Sequence, residues 1–179
     1  MKIIATVIIL LLITCQIKAE RKDNTNYRNS VRNDILTKDK DTLYVLEKTN
    51  DENYLIITAP ENSGLELPDS SGKVDLIKSG DFNADKKIDK MVNLGACGTG
   101  GCMTGVFLNH HDNYYTLAFR DYLKNPEFET DKKGLWTIIS SEEIEPYNPS
   151  KRQISVFKLD KKKKYYVLDK TFVHQDKMK

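Results

Sequence analysis

The chain has 179 residues, of which 39% are hydrophobic and 30% are charged, and its formal net charge at pH 7 is +2. This length is enough for one domain with one sizeable core. The small net charge gives no indication of a nucleic-acid-binding protein, which would need a clustered basic face.

The N-terminus has the pattern of a secretory leader. Lys2 precedes an unbroken apolar run over residues 3–13, which is too short to span a bilayer and has the length of a signal-peptide core. Ala19 supplies the small residue that a general signal peptidase requires, and this predicts a signal peptide over residues 1–19. Cleavage there removes two lysines and leaves equal numbers of basic and acidic residues.

A second cleavage site for the leader is also open. Residues 12–15 read LITC and resemble the lipobox of bacterial lipoproteins, with Cys15 as the lipidated residue and residues 1–14 as the leader. Thr14 stands where a glycine, alanine or serine is usual. Both alternatives place the mature domain outside the cytoplasm, in the periplasm or as an outer-membrane lipoprotein.

The mature chain is predicted to be a single β-rich domain over residues 27–179, preceded by a polar tether over residues 20–26. Tyr27, Val31 and Ile35 recur at every fourth residue. This spacing predicts one short amphipathic helix at the start of the domain.

From residue 42 onwards, β-branched and aromatic residues alternate with polar ones, which predicts strands joined by hairpins. The KKKK run at 161–164 is interpreted as a solvated turn between two such strands. The predicted strands cover residues 42–48, 53–59, 74–79, 90–94, 104–109, 114–119, 134–140, 152–159 and 164–173. We therefore expect a mainly β fold whose antiparallel hairpins form a sandwich, a barrel or a propeller-blade-like sheet.

The stretch GDFNADKKID places oxygen-bearing side chains at alternate positions, at Asp81, Asn83 and Asp85, and again at Asp89. Calcium takes about six to eight oxygen ligands, and a tight loop can present them from alternate side chains together with one backbone carbonyl. An EF-hand is excluded because Val92 stands where that motif requires a bidentate glutamate.

This spacing, with a strand directly after it, resembles the calcium loop of FG-GAP and VCBS-type repeats, although it covers one short segment and occurs in a single copy. The resemblance implies a structural calcium whose ligands are the side chains of Asp81, Asn83, Asp85 and Asp89 and the carbonyl of Lys87. Lys86 occupies the position of the motif's glycine, where a positive φ costs another residue about 1–2 kcal/mol. The alternative is an ion-free turn in which the same side chains cap the backbone and the lysines offset the repulsion between the carboxylates.

Cys97 and Cys102 flank a glycine-rich segment, GACGTGGC. Their spacing fits zinc sites and C-x-x-C redox motifs poorly. In an oxidising compartment it predicts a disulfide that closes a small loop, in which Gly98, Gly100 and Gly101 supply left-handed turns.

The sequence offers little for catalysis, since it lacks G-x-S-x-G and contains three histidines, at positions 110, 111 and 174. We therefore expect a secreted or lipid-anchored binding module of the cell envelope, with a protein partner and a membrane contact only through a lipid on Cys15. The alternative is a periplasmic inhibitor or immunity protein directed against a toxin or a hydrolase. A calcium-dependent hydrolase is the third class considered.

Overall fold

The structure, a computed structural model, describes residues 42–145 and 148–176. All of these residues belong to the compact unit Asp39–Lys179. The predicted leader, Cys15, the tether and the short N-terminal helix lie outside the described residues. Within the described residues, no helix is long and apolar enough to cross a membrane.

Antiparallel strands make up most of the described chain, so the prediction of a mainly antiparallel β fold is confirmed. The strands are β1 (Leu43–Lys48), β2 (Tyr54–Thr58), β3 (Lys73–Gly80), β4 (Asp89–Gly98), β5 (Gly101–His111), β6 (Tyr114–Leu123), β7 (Glu127–Thr130), β8 (Trp136–Glu143), β9 (Lys151–Asp160) and β10 (Tyr165–Gln175).

Strands β1 to β6 form a closed barrel in which each strand pairs with the next. The barrel closes where β1 pairs with β6, from Leu43↔Thr116 to Val45↔Tyr114. Because side chains alternate between the two faces of a strand, every second residue points into the barrel. The interior is filled by Tyr44, Leu46, Leu55, Ile57, Val74, Val92, Leu94, Phe107, Tyr115 and Leu117.

Strands β7 to β10 form a separate sheet in the order β10-β9-β8-β7, which packs against the outside of the barrel. A second core fills this interface and joins Met91, Val106, Leu108, Ala118, Phe119 and Leu123 of the barrel to Ile138, Phe157 and Tyr166 of the sheet, with Phe82 from the loop before β4. Strands β4, β5 and β6 are therefore buried on both faces, which explains the consecutive apolar residues Val106, Phe107 and Leu108.

Two features of the strands differ from the sequence-based expectation. The predicted strands did not include β7, whose four residues, EFET, offer one apolar side chain to the core. The predicted strands also stopped at residue 94 and resumed at 104, whereas β4 and β5 continue as a paired hairpin to Gly98 and Gly101. An irregularity in the pairing between Asn93 and Cys97 hides this continuation, because it breaks the alternation.

Candidate functional site

The loop between β3 and β4, residues 81–88, is held by its own aspartates. Asp81 accepts the backbone N–H of Asp85 on Oδ1 at 3.0 Å and that of Lys86 on Oδ2 at 2.8 Å. The Asp85 carboxylate in turn accepts the backbone N–H of Lys87 at 2.9 Å. These carboxylates thus cap the turn, as the ion-free alternative for this loop expects.

Asn83 and Lys86 complete the turn. The Asn83 side-chain oxygen accepts the backbone N–H of Asp85 at 3.0 Å, and its amide group donates to the Asp85 carboxylate at 3.1 Å. Lys86 has a φ of 69°, the left-handed conformation that the resemblance requires at this position. A lysine therefore carries the strain that glycine would avoid.

Asp89 is the inner anchor of the loop, and its side chain is fully buried, with 0% exposure. Its Oδ2 accepts the backbone N–H of Phe82 at 2.8 Å, and its Oδ1 accepts that of Asn109 on β5 at 2.8 Å. Burial raises the pKa of Asp89 to about 7, while the two N–H groups act in the opposite direction and the charges of Asp85 and Asp81 add to the rise. This carboxyl therefore ties the loop to the barrel and titrates near neutral pH.

The structure defines what a calcium ion would meet in this loop. Every side-chain oxygen of the four predicted ligand residues already accepts an N–H group. Within the described part of the chain, no group of three or more His, Cys, Asp and Glu side chains is placed to hold a metal ion. A carboxylate oxygen can accept more than one partner, so calcium binding by these residues, with the Lys87 carbonyl, stays a prediction.

The other end of β4 holds the cysteine pair. Cys97 and Cys102 face each other in the β4–β5 register, with their Sγ atoms at disulfide distance and their Cα atoms 4.0 Å apart. The expectation for the glycines is wrong in part, because of the three only Gly101 has a positive φ, of 107°. The continuous hairpin pairing keeps Gly98 within β4 and leaves one left-handed residue at the turn.

Three turns of the structure share the sequence Asp-Lys-Lys and one hydrogen bond. The aspartates are Asp85, Asp131 and Asp160, and each accepts the backbone N–H of the second lysine after it, at 2.9, 2.7 and 2.9 Å. The carboxylate is thereby drawn to the backbone, while the lysine side chains are exposed. The repeated tripeptide is the sequence signal that connects the three turns, and the prediction of a solvated turn at 161–164 did not use it.

The three turns lie at the same end of the molecule, since successive hairpins reverse the chain and alternate loops share an end. The backbone N–H of Trp136 donates to the carbonyl of Phe82 at 3.1 Å, which joins the β7–β8 turn to the β3–β4 loop. The Nζ of Lys87 donates to the carbonyl of His110, next to the β5–β6 turn.

The β9–β10 turn, residues 161–164, lies close to the β5–β6 turn and to the β7–β8 turn, because the charges of its lysines act on groups in both. Burial lowers the pKa of His110, and the charges of Lys164 and Lys87 lower it further. The backbone N–H of Leu135 lowers the pKa of Asp131, with a smaller contribution from the charge of Lys161. We call this end the lysine face; its lysines are Lys86, Lys87, Lys132, Lys133, Lys161, Lys162, Lys163 and Lys164.

The edge strand β10 is exposed over most of its length. Within the described residues β10 has β9 as its strand neighbour on one side and no strand on the other. From Leu168 to Gln175 its side chains are exposed on both faces, and Phe172 and Val173 are 43% and 56% exposed. Such an edge presents unpaired backbone groups and apolar side chains together.

The three histidines of the chain make local contacts. His110 lies within hydrogen-bond distance of Thr116, and His111 packs against Tyr114. His174, near the end of β10, lies within hydrogen-bond distance of Asp176.

A cavity of about 570 Å³ lies under the loop between β2 and β3 and is lined by residues of the segment 57–72. Arg120 of β6 donates to the carbonyl of Gly64 at 2.9 Å and holds this loop to the barrel.

Comparison of the chain with protein-family models, with curated protein sequences and with solved structures finds no match in any of the three.

Proposed function

We propose that this chain is a non-catalytic binding module of the cell envelope, secreted or held at a membrane by a lipid on Cys15. The exposed edge of β10 is the observation that carries this proposal. An extended segment of a partner can add to such an edge through main-chain hydrogen bonds, while exposed side chains give specificity. A periplasmic inhibitor or immunity protein would be a binding module of this kind whose protein partner is a toxin or a hydrolase.

The use of the polar side chains supports a non-catalytic role. Asp81, Asp85, Asp131 and Asp160 accept backbone N–H groups in turns, and Asp89 is buried against two more. Cys97 and Cys102 are placed to form a structural link. These five aspartates and two cysteines are thus committed to holding the fold.

The edge can be tested at a single backbone position. The N–H of Asp176 donates to the carbonyl of Ser150 at 2.8 Å, and in an antiparallel pair the outward-facing and inward-facing N–H groups alternate. The N–H of Val173 therefore points away from β9. Proline at this position removes an outward donor and spares the β9–β10 pairing, because proline is tolerated on edge strands.

We expect Val173→Pro to lose its partner in capture experiments from envelope extracts, while Val173→Thr, which keeps the N–H, retains it. Thermal unfolding of both variants checks that the fold is intact. Capture of the same partner by both variants would show that the edge is not the binding surface.

Location is tested separately, by the intact mass of the mature chain. A chain beginning at Glu20, or one beginning at Cys15 with acyl chains attached, supports an extracytoplasmic module. Retention of Met1 in the mature protein would contradict the leader.

A structural calcium in the loop 81–89 is part of the same proposal. Because calcium would bind the folded state, it should raise the melting temperature by mass action, with the weak affinity typical of extracellular modules, on the order of 10⁻⁴–10⁻³ M. Asp81→Ala should abolish the rise. Equal melting temperatures of the wild-type chain in millimolar calcium and in chelator would show that the loop is an ion-free turn.

A further inference from the structure

We propose that the lysine face docks on the surface of an anionic phospholipid bilayer. This inference deepens the proposed function by naming a partner surface. It rests on the proposed extracytoplasmic location in one respect, which is the membrane that the chain would meet. It departs from the expectation that a lipid on Cys15 is the sole membrane contact, since it gives the chain a second one.

The positive charges of the lysine face point outward. The turns of this face carry eight lysines against five aspartates, which are Asp81, Asp85, Asp112, Asp131 and Asp160. Four of these aspartates accept backbone N–H groups and are held close to the chain. The lysine ammonium groups sit on long stems and extend beyond the carboxylates, so the outermost layer of the face is positive.

The fold makes little use of these lysine side chains. Among the ion pairs of the described residues, Lys163 is the one lysine of the face that takes part, with Asp160 at 4.0 Å. Lys87 donates to a backbone carbonyl rather than to a carboxylate. The turn between β1 and β2 is acidic and carries Asp51 and Glu52. Its two strands contribute no residue to the core beneath the second sheet, so this acidic turn stands apart from the turns of the lysine face.

Two exposed apolar side chains lie among the lysines. Ile88 is 52% exposed and Tyr114 is 42% exposed. Asn109 connects the two segments that carry these side chains, since its amide donates to the carbonyls of Ile88 and Asp112. Tyr114 packs on His111 with ring centroids 5.1 Å apart.

An exposed isoleucine and tyrosine among lysines fit a bilayer interface. Tyrosine is favoured at the level of the headgroups, an apolar tip can enter the acyl boundary, and lysines are attracted to anionic lipid. A soluble polyanion could pair with the lysines but has no apolar region to bury the two apolar side chains. The presence of both lysines and exposed apolar side chains therefore favours the bilayer.

The test is the ratio of the partition coefficients of the processed chain on phosphatidylglycerol-containing vesicles and on pure phosphatidylcholine vesicles. Taking the ratio cancels any contribution of an acyl chain, which anchors to both. We expect a ratio well above one that falls as salt is added. Each lysine near an anionic surface contributes about a five-fold gain, so Lys132→Glu with Lys162→Glu should lower the ratio by roughly 30-fold or more.

The matched control reverses two exposed lysines outside the face, Lys73→Glu with Lys170→Glu, with the same change of net charge. This control should retain most of the ratio, and equal losses in both pairs would overturn the lysine face as the site. Ile88→Ser with Tyr114→Ser leaves the charge unchanged and should lower the partition coefficient on the phosphatidylglycerol-containing vesicles several-fold, which is measured directly and not as the ratio. Circular dichroism and thermal melts confirm that each variant is folded.

Three further outcomes would overturn the proposal: a wild-type ratio near one, no effect of replacing Ile88 and Tyr114, or stronger binding to soluble polyphosphate or DNA than to the vesicles. Failure of the location proposal is distinguishable, because vesicle binding is measured on the purified chain and the leader is judged by intact mass.

Discussion

The two ends of β4 are held in place by different chemistry. At the first residue, Asp89 uses a buried carboxyl and two backbone N–H groups to hold the preceding loop against β5. At the other end, Cys97 and Cys102 are placed to link β4 to β5 covalently. The same strand thus ends in a polar anchor on one side and a covalent one on the other.

This difference shows how two short motifs depend on their surroundings to different degrees. The cysteine pair needs only a short hairpin and an oxidising compartment. The Asp89 anchor depends on the tertiary structure that buries its side chain and brings Phe82 and Asn109 to it, and its strength depends on its protonation state. The polar anchor should therefore respond to pH, and the covalent one to reductant.

The largest expected effect is the pH dependence of the Asp89 anchor. Its pKa rises from 3.8 to about 7 in the folded state, so between these values the folded state holds a proton that the unfolded state has released. The contribution of Asp89 to stability is therefore complete below about pH 4 and is lost as the pH rises to 7, by up to about 4 kcal/mol. Urea unfolding across this range measures it.

The control for this effect is Asp89→Asn, which cannot titrate. Several exposed carboxyls have lowered pKa values, such as Asp131 and Asp160, and their contributions are lost only below about pH 4, outside the window. An Asp89→Asn variant with the same pH slope as the wild-type chain would assign the slope to another group.

The next largest effect is expected at the glycine that turns the cysteine hairpin. A Cβ on Gly101 would lie 2.1 Å from the carbonyl oxygen of Leu123, and its φ of 107° disfavours any side chain. Gly101→Ala should therefore cost about 3 kcal/mol of unfolding free energy. Gly100→Ala is the matched control, because a Cβ there meets nothing within 4 Å; similar losses in both variants would contradict this explanation.

Removal of the covalent anchor should have a moderate effect. For so short a loop, the chain-entropy account gives a loss of about 2 kcal/mol when both Cys97 and Cys102 are replaced by serine. Denaturant unfolding with and without reductant measures it: reductant should destabilise the wild-type chain and leave the double variant unchanged. Two titratable thiols in denatured, unreduced protein from the periplasm would show that the link is absent.

The smallest effect is expected at Lys86, in the loop that Asp89 anchors. Its φ of 69° is strained for lysine and not for glycine, so Lys86→Gly should stabilise the chain by about 1 kcal/mol. Lys87, which has no positive φ, provides the control, because glycine there should bring no gain. A loss of stability in Lys86→Gly would mean that the lysine side chain contributes more than its backbone strain costs.

Local patterns in the sequence were enough to identify several features of this protein. Alternation of apolar residues predicts most strands, including β1, β6 and β9, because each strand has to match a half-buried surface. The alternating oxygen side chains of residues 81–85 predict the tight turn, and the glycine position of that pattern coincides with the positive φ of Lys86. These features depend on neighbours within a few residues, which a sequence shows directly.

Contacts between distant segments were decided by the tertiary structure. Closure of β1 on β6 and the packing of the second sheet on β4 to β6 bring together residues far apart in the chain, and no local period encodes such pairings. The same packing buries Asp89, while the other aspartates of its loop stay at the surface. The convergence of three Asp-Lys-Lys turns at one end likewise follows from the order in which the hairpins reverse, so a run of lysines that predicts a solvated turn becomes part of a common face.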